Sequence, residues 1–231
     1  MSQPMTAQLK NHIQSTHLDA LRFRRAIKDF DPDRQVDPAD FDFICQAARL
    51  APSSNGLEPW NIIVLRGPRL RAEFVRRTGA RPEQAAQASH LVAITAKTAK
   101  GIDPDGDYLA HIGATVLGMS PEAIAAWRVR FKTFLTERIG LYGDDAAMFG
   151  YAARQAYLAL ENMLVAAAMI EVDSCPLEGM RYSEATAVLA EAGLIDPTTD
   201  AFAVAAVFGY RSADPKRPQT RRPLEEVVRW A

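Results

Sequence analysis

Apolar residues recur at helical spacing after Asp37-Pro38, where Phe41, Ile44, Cys45 and Ala48 share one face, with Asp37 placed to cap and Pro38 at the first helical position. The pattern predicts that this helix stops before Pro52-Ser53-Ser54-Asn55-Gly56, a cluster of turn formers. Short β-branched runs at 61–65, 91–96 and 203–208 predict buried strands. Ser120-Pro121-Glu122 opens a helix reaching about Ile139, and Asp144-Asp145 opens a longer one reaching about Ile170. The run Leu21-Arg-Phe-Arg-Arg-Ala-Ile-Lys28 is expected to form the C-terminal end of an earlier helical stretch. Helices therefore outnumber strands. No repeat, low-complexity tract or linker divides the chain, so residues 1–231 form one expected domain. The exception is 101–119, where Gly101, Pro104, Gly106, Gly113 and Gly118 predict a mobile excursion rather than a core element, either a lid over a site or a plain surface loop.

Composition narrows the class. With 48% hydrophobic and 24% charged residues in 231, disorder and fibrous repeats are excluded. Lys+Arg of 27 against Asp+Glu of 28 leaves a net charge of −1, so no global field favours nucleic acid or an anionic membrane. The most apolar stretch, 157–169, is interrupted by Glu161 and Asn162 and is too short for a bilayer. The first residues lack the basic start and apolar core of a secretory signal. Two cysteines, Cys45 and Cys175, build neither a disulfide framework nor a cysteine zinc site, which fits a reducing cytoplasm.

Familiar catalytic engines are missing from the sequence: no phosphate loop of the Walker type, no G-x-G-x-x-G, no G-x-S-x-G and no H-E-x-x-H. His12, His17, His90 and His111 show no metal-ligand spacing and read as structural or exposed, so no metal site is expected. Three segments stand out. Arg24, Arg25 and Lys28 either complement a helix C-terminus or converge on one phosphate. The cations Lys216, Arg217, Arg221 and Arg222 read alone as a solvated tail. The loop Pro52 to Trp60 is either a helix stop or a source of hydroxyls and amides for a polar ligand.

Taken together and in order, Arg-Arg-Ala-Ile-Lys-Asp-Phe, Ala-Pro-Ser-Ser-Asn-Gly-Leu-Glu-Pro-Trp, Cys-Pro-Leu-Glu-Gly at 175–179 and Gly-Tyr-Arg followed by Thr-Arg-Arg-Pro resemble the nitroreductase family, across about residues 21–228. The resemblance implies an α+β three-layer sandwich with a mixed central sheet flanked by helices, forming an intertwined homodimer that holds FMN at its interface. The 144–170 helix is similar to the family's interface helix. By this resemblance Arg24, Arg25, Ala26 and Arg221 match the phosphate and ribityl site, and Lys28 matches the lysine beside the flavin's pyrimidine edge. Pro52, Ser53, Ser54 and Asn55 match a loop reaching the partner's flavin, Pro176, Leu177, Glu178 and Gly179 match a strip along the ring with Glu178 near N5, and Gln84 matches a contact to its polar edge. Lys28 and Glu178 are the implied catalytic pair.

The implied activity is a ping-pong oxidoreductase: NADPH or NADH gives hydride to flavin N5, and a nitroaromatic, quinone or similar small electron-poor aromatic then takes the electrons. Substrate choice falls to the 101–145 region, where Tyr108, Trp127, Phe131, Phe134 and Tyr142 are either aromatic walls or helix packing. The sequence departs from the family pattern at Ala26, where many relatives have serine, at Arg81, where Asn is common, and at Gln219, where a second cation is often found. The alternatives are a non-catalytic flavin carrier or sensor, a family member with other flavin chemistry (dehalogenation, flavin fragmentation, enoate or azoline redox), and a nucleic-acid binder using 22–28.

Overall fold

The computed structural model describes residues 5–231. Its four strands are β1 (Trp60–Val64), β2 (His90–Lys97), β3 (Asp173–Leu177) and β4 (Asp200–Gly209), ordered β1-β2-β4-β3. Nine helices accompany them among the described residues: α1 (Ala7–Phe23), α2 (Pro38–Arg49), α3 (Pro68–Thr78), α4 (Pro82–Gln87), α5 (Asp107–His111), α6 (Pro121–Thr133), α7 (Asp145–Met169), α8 (Tyr182–Glu191) and α9 (Leu224–Val227).

Strand alternation sends successive side chains to opposite faces, and in the two central strands both sets are apolar. Val92, Ile94 and Ala96 of β2 and Val204, Ala206 and Phe208 of β4 meet α2 and α7. Leu91 and Ala93, with Ala205 and Val207, meet Phe74 of α3, Ala85 of α4 and Val188 and Leu189 of α8. A sheet buried on both faces explains why these strands read as continuous apolar runs.

The capping expectations hold. Asp37 accepts from Ala39 N at 2.8 Å, Ser120 from Ala123 N at 3.3 Å and Asp144 from Ala147 N at 3.0 Å, each satisfying an orphan amide of a first turn. A π-helical turn, Phe134–Arg138, carries α6 on to Ile139.

Four expectations need correction. The sheet is not mixed in its ladders: among the described residues all three strand pairings are antiparallel, and the one parallel element is an isolated bridge between Ala26 and Ser174. Helix α1 stops at Phe23 instead of running through the basic run, because residues 24–28 find extended pairing, with Ile27 N donating to Ser174 O at 3.2 Å. β3 gives no strand signal in the sequence; Pro176 and two polar residues mask it, and it lies at the edge of the sheet, where proline is tolerated. Finally, 101–119 is not only loop. It forms α5 and the π-helical turn Ile112–Val116, and buries Ile102, Leu109 and Ile112 in the core around α7.

Candidate functional site

The extended segment 24–28 places its residues alternately. Ile27 is buried, Ala26 and Lys28 are exposed, and Arg24 and Arg25 are half-buried. Lys28 Nζ reaches Cys175 Sγ on β3 at 3.3 Å, so the lysine and the 175–179 strip, 147 positions apart in sequence, meet at one edge of the sheet. Helix α4 braces the segment from behind. Gln84 Nε2 donates to Ile27 O at 2.5 Å, and Gln87 Oε1 accepts from Phe30 N at 3.3 Å, so the backbone is held on both sides of Lys28. Gln84 is buried, with its Oε1 lacking a partner. Its amide nitrogen is thus taken up by the backbone beneath the strand, at the residue for which the resemblance implies a contact to the ligand's polar edge.

The C-terminal segment closes on the same place. Gln219 Nε2 donates to the carbonyls of Leu21 and Arg24, each at 3.2 Å, and Arg25 Nη2 donates to Arg217 O at 2.9 Å. Arg221 therefore lies two residues beyond a direct contact with Arg24; it is exposed, and its own Nη1 donates only to Thr220 O at 2.7 Å. Arg24, Arg25, Lys28 and Arg221 have no carboxylate partner among the described residues. Ala26 offers the site only backbone and a methyl group.

Along β3 the residues divide. Leu177 turns its side chain into the core shared with α8, leaving only its backbone to the site. Pro176 is half-buried, while Glu178 and Gly179 are exposed. Pro176 and Glu178, with Tyr157, Leu160, Glu161 and Leu164 of α7, line a pocket of about 310 Å³. The Tyr157 hydroxyl donates to Glu178 Oε1 at 2.5 Å. Burial, and then the Glu178 carboxylate, push the Tyr157 pKa well above that of an ordinary phenol. Tyr157 escaped the sequence reading because it sits within an apolar helical run that gives no sign of a polar partner.

The loop after α2 forms the short helical turn Ser54–Gly56, with Asn55 at φ 57°. Ser53 Oγ accepts from Glu58 N at 2.9 Å, Ser54 N donates to Gln155 Oε1 at 3.0 Å, and Asn55 Nδ2 donates to Ser54 Oγ at 3.1 Å. Pro52 and Asn55 are exposed. The loop is thus docked on α7 two residues before Tyr157, and no hydrogen bond joins it to Lys28 or β3 among the described residues.

Of the aromatic residues at 101–145, Trp127 and Phe131 are buried in the core; Phe134 stacks on Phe131 but also lines a pocket with Val129 and Arg138, and Tyr108 donates to Leu57 O and Glu58 O while lining a pocket with Asp107 and His111. Tyr142 is the exposed one. No group of three or more His, Cys, Asp or Glu could hold a metal ion among the described residues. No described helix is long and apolar enough to cross a membrane.

These features define an α+β protein with a cationic cradle at the β3 edge of its sheet. The chain belongs to the nitroreductase family, whose sequence model matches residues 21–210. Over 224 residues it is 40% identical to the Bacillus subtilis (strain 168) protein provisionally named NAD(P)H nitroreductase YfkO, covering 97% of this chain and 99% of that one. The crystal structure of the Nitroreductase Family Protein from Streptococcus pneumoniae TIGR4 superposes with a TM-score of 0.72 at 23% identity, over 93% of this chain and 99% of that one. A provisionally named nitroreductase from Exiguobacterium sibiricum 255-15, solved in complex with FMN, superposes with a TM-score of 0.69 at 17% identity over 100% of both chains. At these identities the two structures speak to the fold alone.

Proposed function

We propose that the protein is an FMN-dependent oxidoreductase that reduces nitroaromatics, quinones or similar electron-poor acceptors with NADPH or NADH. The observation that carries this reading is the gathering of Arg24, Arg25, Lys28 and the Arg221 segment at one edge of the sheet with no carboxylate to neutralise them. Such a donor set suits a phosphate dianion on a larger ligand. Bound FMN would supply the two-electron chemistry, with donor and acceptor using one place in turn, as a ping-pong scheme requires.

The chain's own residues bind, orient and tune. Arg24, Arg25 and Arg221 would hold the phosphate. The Lys28 ammonium, fixed against β3 and clamped by Gln84 and Gln87, would favour negative charge developing on a neighbouring ring, which raises its reduction potential. Pro176 and Gly179 offer a flat strip, and Tyr157 orients the Glu178 carboxylate at the pocket wall.

The homodimer belongs to the same reading. Leu9, Ile13 and Leu18 of α1 are exposed, as are Leu224 at 72% and Trp230 at 96%, a distribution that favours burial against a second copy. In that assembly the Pro52–Asn55 loop would serve the partner's flavin, and helices and sheet would stack as the family's three-layer sandwich. Free thiols at Cys45 and Cys175 fit a cytoplasmic protein.

The test is an anaerobic absorbance spectrum of the FMN-supplied protein before and after NADPH, then NADH, then a quinone. Oxidised-flavin bands that bleach and recover support the enzyme. FMN held without bleaching by either nucleotide supports the carrier, and no FMN uptake overturns the flavin site.

A further inference from the structure

A second cavity, formed by residues other than those of the flavin site, opens between α3 and α4, with a volume of about 570 Å³. Its walls are apolar and mostly small: Pro68, Ala72 and Val75 from α3, and Pro82, Ala85 and Ala86 from α4. Its polar lining is three arginines, Arg66, Arg71 and Arg76, and no carboxylate lines it. Arg76 is engaged by Glu73 at 2.7 Å outside the groove, and Arg66 is exposed.

Arg71 is the unusual member. Its guanidinium crosses from α3 to cap the end of α4, donating to the carbonyls of Ala85 and Ala88, and to Ser89 O at 3.3 Å. Those partners are dipoles and carry no formal negative charge. Its Nε is buried with no partner at all. Burial alone lowers the arginine's pKa, the mark of a cation incompletely compensated by its surroundings. A carboxylate or sulfonate arriving at the mouth would supply the missing charge with charge-assisted hydrogen bonds.

We propose that the α3–α4 groove binds a small amphipathic anion, an aromatic or aliphatic body of one or two ring widths carrying a single carboxylate or sulfonate. The volume falls within the range usual for small-molecule sites, and an apolar lining with a few convergent polar groups is their usual make-up. The small side chains Ala72, Ala85 and Ala86 create the space, and the arginines set the sign of the head group.

Calorimetric titration of the FMN-saturated protein with 1-naphthaleneacetate, and with its neutral amide, tests this with the flavin site already filled. Saturable binding of the acid, with the amide weaker by about tenfold or more, is the expected result. Ala72→Leu combined with Ala86→Leu fills the groove from two exposed positions and should weaken binding by at least about tenfold, with the circular dichroism spectrum unchanged. Arg66→Gln should weaken the acid and leave the amide unaffected. Absence of saturable heat, equal affinity for acid and amide, or undiminished binding by the filled variant would overturn the proposal; should the protein take up no FMN, the same titration of the protein alone decides it, so the two readings fail separately.

Discussion

His90 lies flat against Phe41, with ring centroids 3.7 Å apart and planes 10° from parallel. Burial, and then the positive charges of Arg66 and Arg71, lower its pKa to about 4. An unfolded histidine titrates near ~6.5, so between these values the unfolded chain binds more protons than the folded one. Stability from this site is complete above about pH 6.5 and is lost as pH falls towards 4. The urea midpoint of the parent protein should therefore drop more between pH 7 and pH 4.5 than that of His90→Gln; equal drops would exclude the histidine as the cause.

Asp173 and Arg211 tie the β3 edge to α1. The Asp173 carboxylate, 3% exposed, accepts from Arg211 N at 2.9 Å, Nε at 2.9 Å and Nη2 at 2.5 Å, while the guanidinium lies 4.4 Å from the Phe23 ring centroid. Arg211→Leu strands a buried carboxylate and is expected to cost about 3–5 kcal/mol in urea unfolding. Adding Asp173→Asn should recover part of that loss, since the uncompensated charge is then gone.

Lys28→Ala removes an exposed side chain and should change stability by no more than about 0.5 kcal/mol. FMN affinity or the flavin midpoint potential is expected to fall, read by fluorescence titration and potentiometry. Normal values for both would remove the lysine from the mechanism.

Gln84→Leu deprives the Ile27 carbonyl of its partner and should cost about 1–3 kcal/mol. If Gln84 acts by holding the Lys28 strand, FMN affinity falls with stability. A variant that loses stability and keeps full FMN affinity would show that the brace serves folding alone.

Gly101 has no room for a side chain: a Cβ there would stand 2.1 Å from the Thr199 carbonyl oxygen and 3.1 Å from Lys97 side-chain carbons. Backbone cannot yield as a flexible side chain would. Gly101→Ala is expected to lower the thermal midpoint, with a loss of about 1–3 kcal/mol or more; an unchanged midpoint would mean the turn shifts freely.

How much of this was legible follows from the range of the signals. The strands β1, β2 and β4 and the helices α2, α6 and α7 announce themselves by local periodicity and by Asp37, Ser120 and Asp144 at their starts. β3 does not, since Asp173, Ser174 and Pro176 belong to a strand only because β4 and the Ala26 bridge lie beside them. The same bridge draws 24–28 out of the helix that its composition favours. The cations of the site were readable by type and order. The groups that set them in place, Gln84, Gln219 and Tyr157, act across 57, 195 and 21 positions, distances at which spacing carries no information.

The outer edge of β3 has a further consequence, for behaviour at high concentration. An edge strand ordinarily offers a row of amides on which another chain can pair and a fibril can start. Here the edge is interrupted by Pro176, whose nitrogen has no proton to offer, and is followed at once by the exposed charge of Glu178, while the bridge to Ala26 occupies Ser174. The strip that faces the candidate site is thereby also a stop against sheet-by-sheet aggregation.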